Sequence, residues 1–368
     1  MERIGVVGAG AMGRGIAQVA AQAGCAVTLT DVSEPALEAA RDAIGASLSR
    51  AVRKGKLPGE DAAAALGRIV TGTELACHAG AELVIEAAVE RLDVKAAIFR
   101  ELARAAPGAV RASNTSSLAI REIAGAAGTP LIGLHFFNPA HAMKLVEVIL
   151  PDGAEGLAPM LEQTLRAWGK TPVRAPDSPG FIVNRCARPF YGEALAMLEE
   201  GAKPAAIDAA MVAAGYRMGP FALIDLVGAD VNLAASESVA RAMGGHPRYH
   251  VFDALRRQVV AGRLGRKSGE GFVTPDPGAA GPAPGAAERI EAALVNEAAS
   301  LLAEGVAEDD IDTAMRLGLN FPRGPFEIAR AAGPAAIVAR LEALEAAAPA
   351  HLKGRYAPAA ALRAMESA

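Results

Sequence analysis

From Arg3 to about Pro176 the chain alternates between short β-rich apolar runs and longer Ala-rich runs with helical spacing. The runs Ile4–Val7, Val27–Thr30, Leu83–Ala87, Val110–Ser113, Leu131–His135, Leu145–Ile149 and Thr171–Arg174 predict strands. Strands and helices in regular alternation predict an α/β fold of Rossmann type: a mainly parallel sheet with helices on both faces. The stretch 34–67 is too long for a simple crossover and reads as two helices broken by "KGKLPG". From Phe181 the pattern turns helical, apart from the Gly-rich "AGRLGRKSGEGF". In "TPDPGAAGPAPGAA" the Pro, Gly and Ala leave nothing to pack, which predicts a flexible linker.

Beyond that linker the chain repeats itself. "GEALAMLEEGAKPAAIDAAM" from Gly192 is matched by "NEAASLLAEGVAEDDIDTAM" from Asn296, and "MGPFALID" by "RGPFEIAR". Glu193, Gly201 and Asp208 meet their counterparts Glu297, Gly305 and Asp312 at a constant offset of 104 residues. An all-helical unit has been duplicated. The expected organisation is a nucleotide-binding domain at 1–178, a helical domain at 179–273, a linker at 274–287 and a second helical copy at 288–368. The second copy is expected to dock on the first with Gly324, Pro325 and Phe326 in the contact.

Composition narrows the function classes. The net charge of −4, from 37 Lys and Arg against 41 Asp and Glu, provides no electrostatic case for nucleic acid or an anionic membrane as partner. No apolar run approaches the ~18 residues of a spanning helix. Three scattered cysteines, Cys25, Cys77 and Cys186, suit neither a disulfide framework nor a zinc site. The strand pattern begins at once, with no basic leader or cleavage site ahead of it, so a cytoplasmic protein without a metal is expected.

Two segments carry chemistry. In "GVVGAGAMGRG" the loop Gly8-Ala9-Gly10-Ala11-Met12-Gly13 follows a strand and opens a helix. Gly8 allows the tight turn, Gly10 admits a pyrophosphate to the backbone, and Gly13 lets the helix pack on the sheet. Asp31 ends the next strand, where a carboxylate accepts from the adenosine 2′- and 3′-hydroxyls and repels a 2′-phosphate, so NAD is predicted over NADP. In "LHFFNPAHAMKLVEV" His135 ends one strand and Glu147 lies on the next. Oxidising a secondary alcohol needs a base for the hydroxyl proton, and a histidine steadied by a carboxylate supplies one. "SNTSSL" adds Asn114, Thr115, Ser116 and Ser117 at a strand end, and Asn184 opens the helical region. Each of these also suits an ordinary cap or helix surface.

Taken in order, "GAGAMGRGIA", "IEAAVERLDVK", "SNTSSL", "GLHFFNPAHAMKLVEV", "PGFIVNR", "GYRMGPFALIDLVG" and "GRLGRKSGEGF" resemble the L-3-hydroxyacyl-CoA dehydrogenases over about residues 3–273. The resemblance implies His135 as catalytic acid/base, Glu147 as its partner, and Ser116 and Asn184 on the oxygen at substrate C3. It places Glu90, Lys95, Ser116, Asn138 and Lys267 around NAD beside Asp31, and Ser47 and Lys54 on coenzyme A, with Ser116 also at the thioester. The cluster Arg50, Arg53, Lys54 and Lys56 suits CoA phosphates, and equally a solvated basic helix end. His141 stands where that family more often has a small or aliphatic residue.

The implied activity is NAD-dependent interconversion of 3-hydroxyacyl-CoA and 3-oxoacyl-CoA, with a short chain such as 3-hydroxybutyryl expected. 3-Hydroxyadipyl-CoA and an L-gulonate-type sugar acid are alternatives. A binding protein without turnover is disfavoured by the intact set of polar residues. Shorter relatives carry one helical unit and dimerise through it, so either a homodimer or a monomer whose second copy mimics that contact is expected.

Overall fold

The structure is a computed structural model and describes residues 1–367. It divides into two compact units, residues 1–178 and 179–368.

In the first unit the elements run β1 (Arg3–Val7), α1 (Ala11–Gln22), β2 (Ala26–Thr30), α2 (Glu34–Arg53), α3 (Gly59–Gly67), β3 (Ile69–Gly72), β4 (Leu83–Glu86), α4 (Leu92–Ala105), β5 (Val110–Ser113), α5 (Ile120–Ala127), β6 (Ile132–Phe136), β7 (Leu145–Ile149), α6 (Ala158–Ala167) and β8 (Thr171–Ala175). They form one eight-stranded sheet in the order β3-β2-β1-β4-β5-β6-β7-β8. All neighbours are parallel except β6 and β7, which run antiparallel. Every residue of β6 and β7 is buried, which is why, His135 and Glu147 apart, their sequences are apolar on both faces and do not alternate. Strand β3 was absent from the sequence expectation. It has four residues at a sheet edge, only one of them buried, so it carries almost no apolar pattern.

The second unit is helical: α7 (Val183–Glu199), α8 (Pro204–Ala213), α9 (Pro220–Val227), α10 (Ala229–Ala242), α11 (Asp253–Val260), α12 (Ala286–Leu302), α13 (Glu308–Gly318), α14 (Pro325–Ala332), α15 (Pro334–Ala347) and α16 (Ala360–Ala364). Helix α12 begins at Ala286, two residues inside the stretch expected to be linker, after Gly285 in the left-handed region at φ 72°.

Each copy uses the same cap. Asp208 accepts from the Phe221 and Ala222 N–H groups, and Asp312 from those of Phe326 and Glu327. Gly219 and Gly324 sit where any Cβ would collide with that aspartate, which explains the repeated "GPF". The hydrogen bonds at Gly324 and Phe326 therefore close within their own copy, to Glu327 and Asp312. The main contact between the copies is α7 against α12.

That contact has a two-fold pattern. Buried Glu193 accepts from Arg289 (2.5 Å), Arg355 (3.3 Å) and Tyr356 (2.9 Å) of the second copy. Buried Glu297 accepts from Arg185 (2.5 Å), Arg248 (3.1 Å) and Tyr249 (2.7 Å) of the first. Arg289 also pairs with Glu200, and Arg185 with Glu304. Residue types swap places across the contact, as in an isologous interface.

Candidate active site

The nucleotide loop is set by its glycines. Gly8, at φ 101°, donates its N–H to the Thr30 carbonyl at 2.7 Å, and a Cβ there would lie 2.7 Å from the Ala87 carbonyl oxygen. At Gly13 a Cβ would run into the Gly8 carbonyl oxygen. Gly10 differs: a Cβ would meet nothing within 4 Å, so the loop's open side lies there. Gly10 is also the N-cap of α1 and supplies no side-chain cap, so the amides of Ala11 and Met12 open an uncapped helix end. Asp31 accepts from the Ala9 N–H at 2.8 Å and the Ser33 N–H at 3.1 Å, which fixes its carboxylate beside the loop. A dinucleotide fits this arrangement: open backbone for pyrophosphate, an oriented carboxylate for ribose.

Beside it lies a buried polar network that sequence reading saw only in part. Lys95, 1% exposed, donates to Glu86 at 2.7 Å and lies 3.2 Å from Glu90. Glu86 also accepts from Ser113 at 2.6 Å and from the Ala88 N–H at 2.7 Å. Glu90 gathers the loop after β5, accepting from the Thr115 hydroxyl, the Ser116 and Ser117 N–H groups and the Ser117 hydroxyl. Burial works to raise the Glu90 pKa, but Lys95 and these donors outweigh it and hold the carboxyl below its ordinary value. The loop with Ser116 is thus pinned by a carboxylate instead of capping a helix; α5 is capped by Asp177, which accepts from the Ile120 and Arg121 N–H groups. Asn114 ties the ends of β5 and β6 together by accepting from the Phe136 N–H at 2.8 Å. Glu86 and Ser113 escaped the sequence reading, because a polar residue at a strand end carries no periodic signal.

His135 and Glu147 meet because β6 and β7 are antiparallel and place them directly opposite each other. The Nδ1–Oε2 distance is 2.6 Å, with His135 6% exposed and Glu147 fully buried. Whichever of the two carries the shared proton, the contact uses Nδ1 of the ring and leaves Nε2 on the side away from Glu147. Phe137 packs on the imidazole with ring centroids 4.5 Å apart. Asn138 follows at the exposed start of the β6–β7 turn.

A second feature of the same unit is a cavity of about 540 Å³ lined by Gln18, Ser47, Arg50, Lys54, Lys56 and His141 among others. Ser47 and Lys54 are brought to it by α2, whose C-cap is Lys54. Asn184 and Lys267 belong to the second unit. Asn184 sits in the first turn of α7 with its carbonyl accepting from Arg188, and Lys267 is paired with Asp230 at 2.5 Å. Among the described residues no helix is long and apolar enough to cross a membrane, and no group of three or more His, Cys, Asp or Glu is placed to hold a metal ion.

Comparison with known proteins agrees with this geometry. The family description "3-hydroxyacyl-CoA dehydrogenase, NAD binding domain" matches residues 3–178, and "3-hydroxyacyl-CoA dehydrogenase, C-terminal domain" matches residues 180–275 and again 286–368. The chain is 47% identical over 278 residues to 3-hydroxyadipyl-CoA dehydrogenase of Escherichia coli K12, covering 74% of this chain and 58% of that protein. It is 42% identical over 276 residues to a probable 3-hydroxybutyryl-CoA dehydrogenase of Deinococcus radiodurans, covering 73% of this chain and 99% of that protein. A crystal structure of 3-hydroxybutyryl-CoA dehydrogenase from Escherichia coli K12 superposes with a TM-score of 0.90 at 35% identity, over 100% of this chain and 98% of that one. The chain belongs to the 3-hydroxyacyl-CoA dehydrogenase family, a family of NAD-dependent oxidoreductases.

Proposed function

We propose that the protein oxidises a short-chain (S)-3-hydroxyacyl-CoA to the 3-oxoacyl-CoA and catalyses the reverse reduction, with His135 as acid/base. The observation that carries this is the buried His135–Glu147 pair in the same sheet as a nucleotide loop. His135 Nε2 takes the C3 hydroxyl proton, and Glu147 stabilises the imidazolium that forms. Ser116 and Asn184 hold the oxygen at C3. Asp31 holds the adenosine ribose, and Glu90, Lys95, Asn138 and Lys267 complete the NAD site. Bound NAD supplies the hydride acceptor. Ser47 and Lys54 contact the CoA portion. Relatives named for 3-hydroxybutyryl-CoA support the short chain. A six-carbon dicarboxylic chain is the second reading, supported by the relative at 47% identity.

We also read residues 286–368 as standing in for a partner subunit. The exchanged Glu193 and Glu297 networks support a chain that is monomeric in solution, with the second copy structural. Light scattering is expected to return one 37.5 kDa chain, and a stable dimer would reject this.

The deciding measurement is loss of NADH absorbance with acetoacetyl-CoA, with NADPH and free acetoacetate as controls. A rate with NADH and the thioester alone is expected. Faster turnover of 3-oxoadipyl-CoA would move the assignment to the dicarboxylic chain, and a rate confined to sugar acids would overturn it.

A further inference from the structure

Three arginines are buried among the described residues, Arg185, Arg188 and Arg355. Arg185 pairs with Glu297 and Arg355 with Glu193. Arg188, on α7 and 8% exposed, pairs with no carboxylate among the described residues. It donates from Nε to the Asn184 carbonyl at 3.0 Å, and from Nη1 to the Asn232 carbonyl at 3.3 Å and the Ser236 hydroxyl at 2.9 Å, both on α10. The guanidinium also lies 5.2 Å from the centre of the Tyr191 ring, whose phenol burial pushes up to about 12 and so keeps neutral at pH 7. Nη2 has no partner among the described residues and is not sealed from solvent. A buried cation held only by neutral groups is costly until an anion completes it.

The duplication supplies an internal control. At the offset of 104 residues that relates Glu193 to Glu297, Arg188 corresponds to Ala292. At the offset of 105 that relates Gly219 to Gly324, Asn232 and Ser236 correspond to Ile337 and Leu341. Ala292, Ile337 and Leu341 are all buried, on the packed pair α12 and α15. The same helix pair therefore closes in the second copy on apolar side chains, and the fold makes no demand for a cation there. The first copy also differs one turn before Arg188, where it has Asn184 and the second copy has Glu288.

We propose that Arg188 receives the terminal carboxylate of a dicarboxylic acyl chain, and so selects a six-carbon 3-hydroxydicarboxylyl thioester over an uncharged chain. This rests on the CoA-thioester reading above and chooses between its two chains. Arg188 follows Asn184 by four residues, about 6 Å along the helix axis. Its Nε bond to the Asn184 carbonyl shows the guanidinium folded back over that turn. With Asn184 on the oxygen at C3, the carboxylate at C6 lies about 4 Å further along an extended chain, at about 1.5 Å per bond less the zigzag. That span suits a side chain leaning back toward Asn184. The hollow at Arg188, lined also by Tyr191, Ser236 and His250, measures about 10 Å³, room for one oxygen the size of a water and not for a bulky end group. A carboxylate oxygen on Nη2 makes a charge-assisted hydrogen bond and supplies the missing countercharge.

The test compares 3-oxoadipyl-CoA with 3-oxohexanoyl-CoA, equal in length and lacking the carboxylate, by loss of NADH absorbance in the full chain. In the wild type kcat/KM is expected to be about 10–100-fold higher for the dicarboxylic thioester, the effect of one hydrogen bond between charged groups. Arg188→Met should erase that ratio, and Arg188→Lys, which keeps the charge, should restore part of it. The triple variant Arg188→Ala, Asn232→Ile, Ser236→Leu carries the second copy's own packing, so it should lose the ratio while its thermal midpoint holds. A wild type that treats both thioesters alike would overturn the proposal. So would an Arg188→Met variant that loses rate equally on both, since that is what a merely structural cation would do. Binding of adipyl-CoA and hexanoyl-CoA, which lack the 3-oxo group, is measured separately by titration calorimetry. Adipyl-CoA should bind the wild type about tenfold tighter and lose that advantage in Arg188→Met; equal affinities in the wild type would reject the site. A chain that turns over no CoA thioester yet keeps this difference would sink the reaction and leave the role of Arg188 standing. A chain that reduces acetoacetyl-CoA without any preference for the carboxylate would do the reverse.

Discussion

Four glutamates are fully buried among the described residues, Glu86 and Glu147 in the first unit and Glu193 and Glu297 in the second. Glu147 faces one imidazole, whose charge depends on whether it holds a proton. Glu193 and Glu297 each face two guanidinium groups and a phenol. An arginine does not change charge at any accessible pH, so the guanidinium partners of those two carboxylates stay charged. The carboxylate proposed for the chemistry has a partner that can gain and lose a proton; the two in the seam between the copies have partners that cannot. Glu86, shared between Lys95 and Ser113, belongs nearer the second kind although it lies beside the nucleotide site.

The widest predicted contrast lies between His135 and the ionic clasp. His135→Gln should lower turnover by about 10²–10⁴ while NADH binding and the thermal midpoint hardly move; near-wild-type turnover would remove the central assignment. Glu193→Ala and Glu297→Ala should each destabilise the protein by about 3–5 kcal/mol, because each strands buried arginines without their carboxylate. Chemical denaturation should return similar values for the two. A large loss at one and none at the other would show that the two-fold pattern is geometric only.

A smaller effect is expected at Asp31. Removing its carboxylate in Asp31→Ala should weaken NADH by about tenfold and narrow the preference over NADPH, since a hydrogen bond to a charged group contributes about 1.5–3 kcal/mol. Unchanged fluorescence titrations with both cofactors would contradict its role. At neutral pH the least effect belongs to His78, a third kind of buried group, with a hydroxyl partner (Thr30, 2.8 Å) and no charged one. Burial depresses its pKa from 6.5 to about 4. A depressed histidine contributes its full stability above pH 6.5 and loses it as pH falls toward 4, because the unfolded chain binds the proton first. His78→Gln should therefore flatten the acid limb of a stability–pH curve between those values; an identical limb would assign acid sensitivity to other groups.

Much of the molecule was legible in the chain because it is local. The spacing of Gly8, Gly10 and Gly13 after a strand, and Asp31 at the next strand end, encode backbone conformation and charge within one βαβ segment. The 104-residue offset exposed the duplication without any coordinates. Strand β3 was missed because an edge strand with one buried residue has no period to detect. The anchor of the "SNTSSL" loop was open to the wrong reading, since a Ser-rich stretch before a helix looks like a cap, whereas Glu90 pins the loop and Asp177 caps α5.

By itself the sequence determined the fold class, the nucleotide loop and the repeat, which follow from short-range sterics and periodic burial, while most of the candidate site residues came from a family resemblance. Tertiary structure alone decided which charges face each other. The antiparallel turn of β7 against β6 put Glu147 on His135, and the packing of α7 on α12 exchanged the Glu193 and Glu297 partners. It also gathered Arg50 and His141, 91 positions apart, around one cavity. Electrostatic partnership depends on distance through space and on exclusion of water, and neither is written in the spacing along a chain.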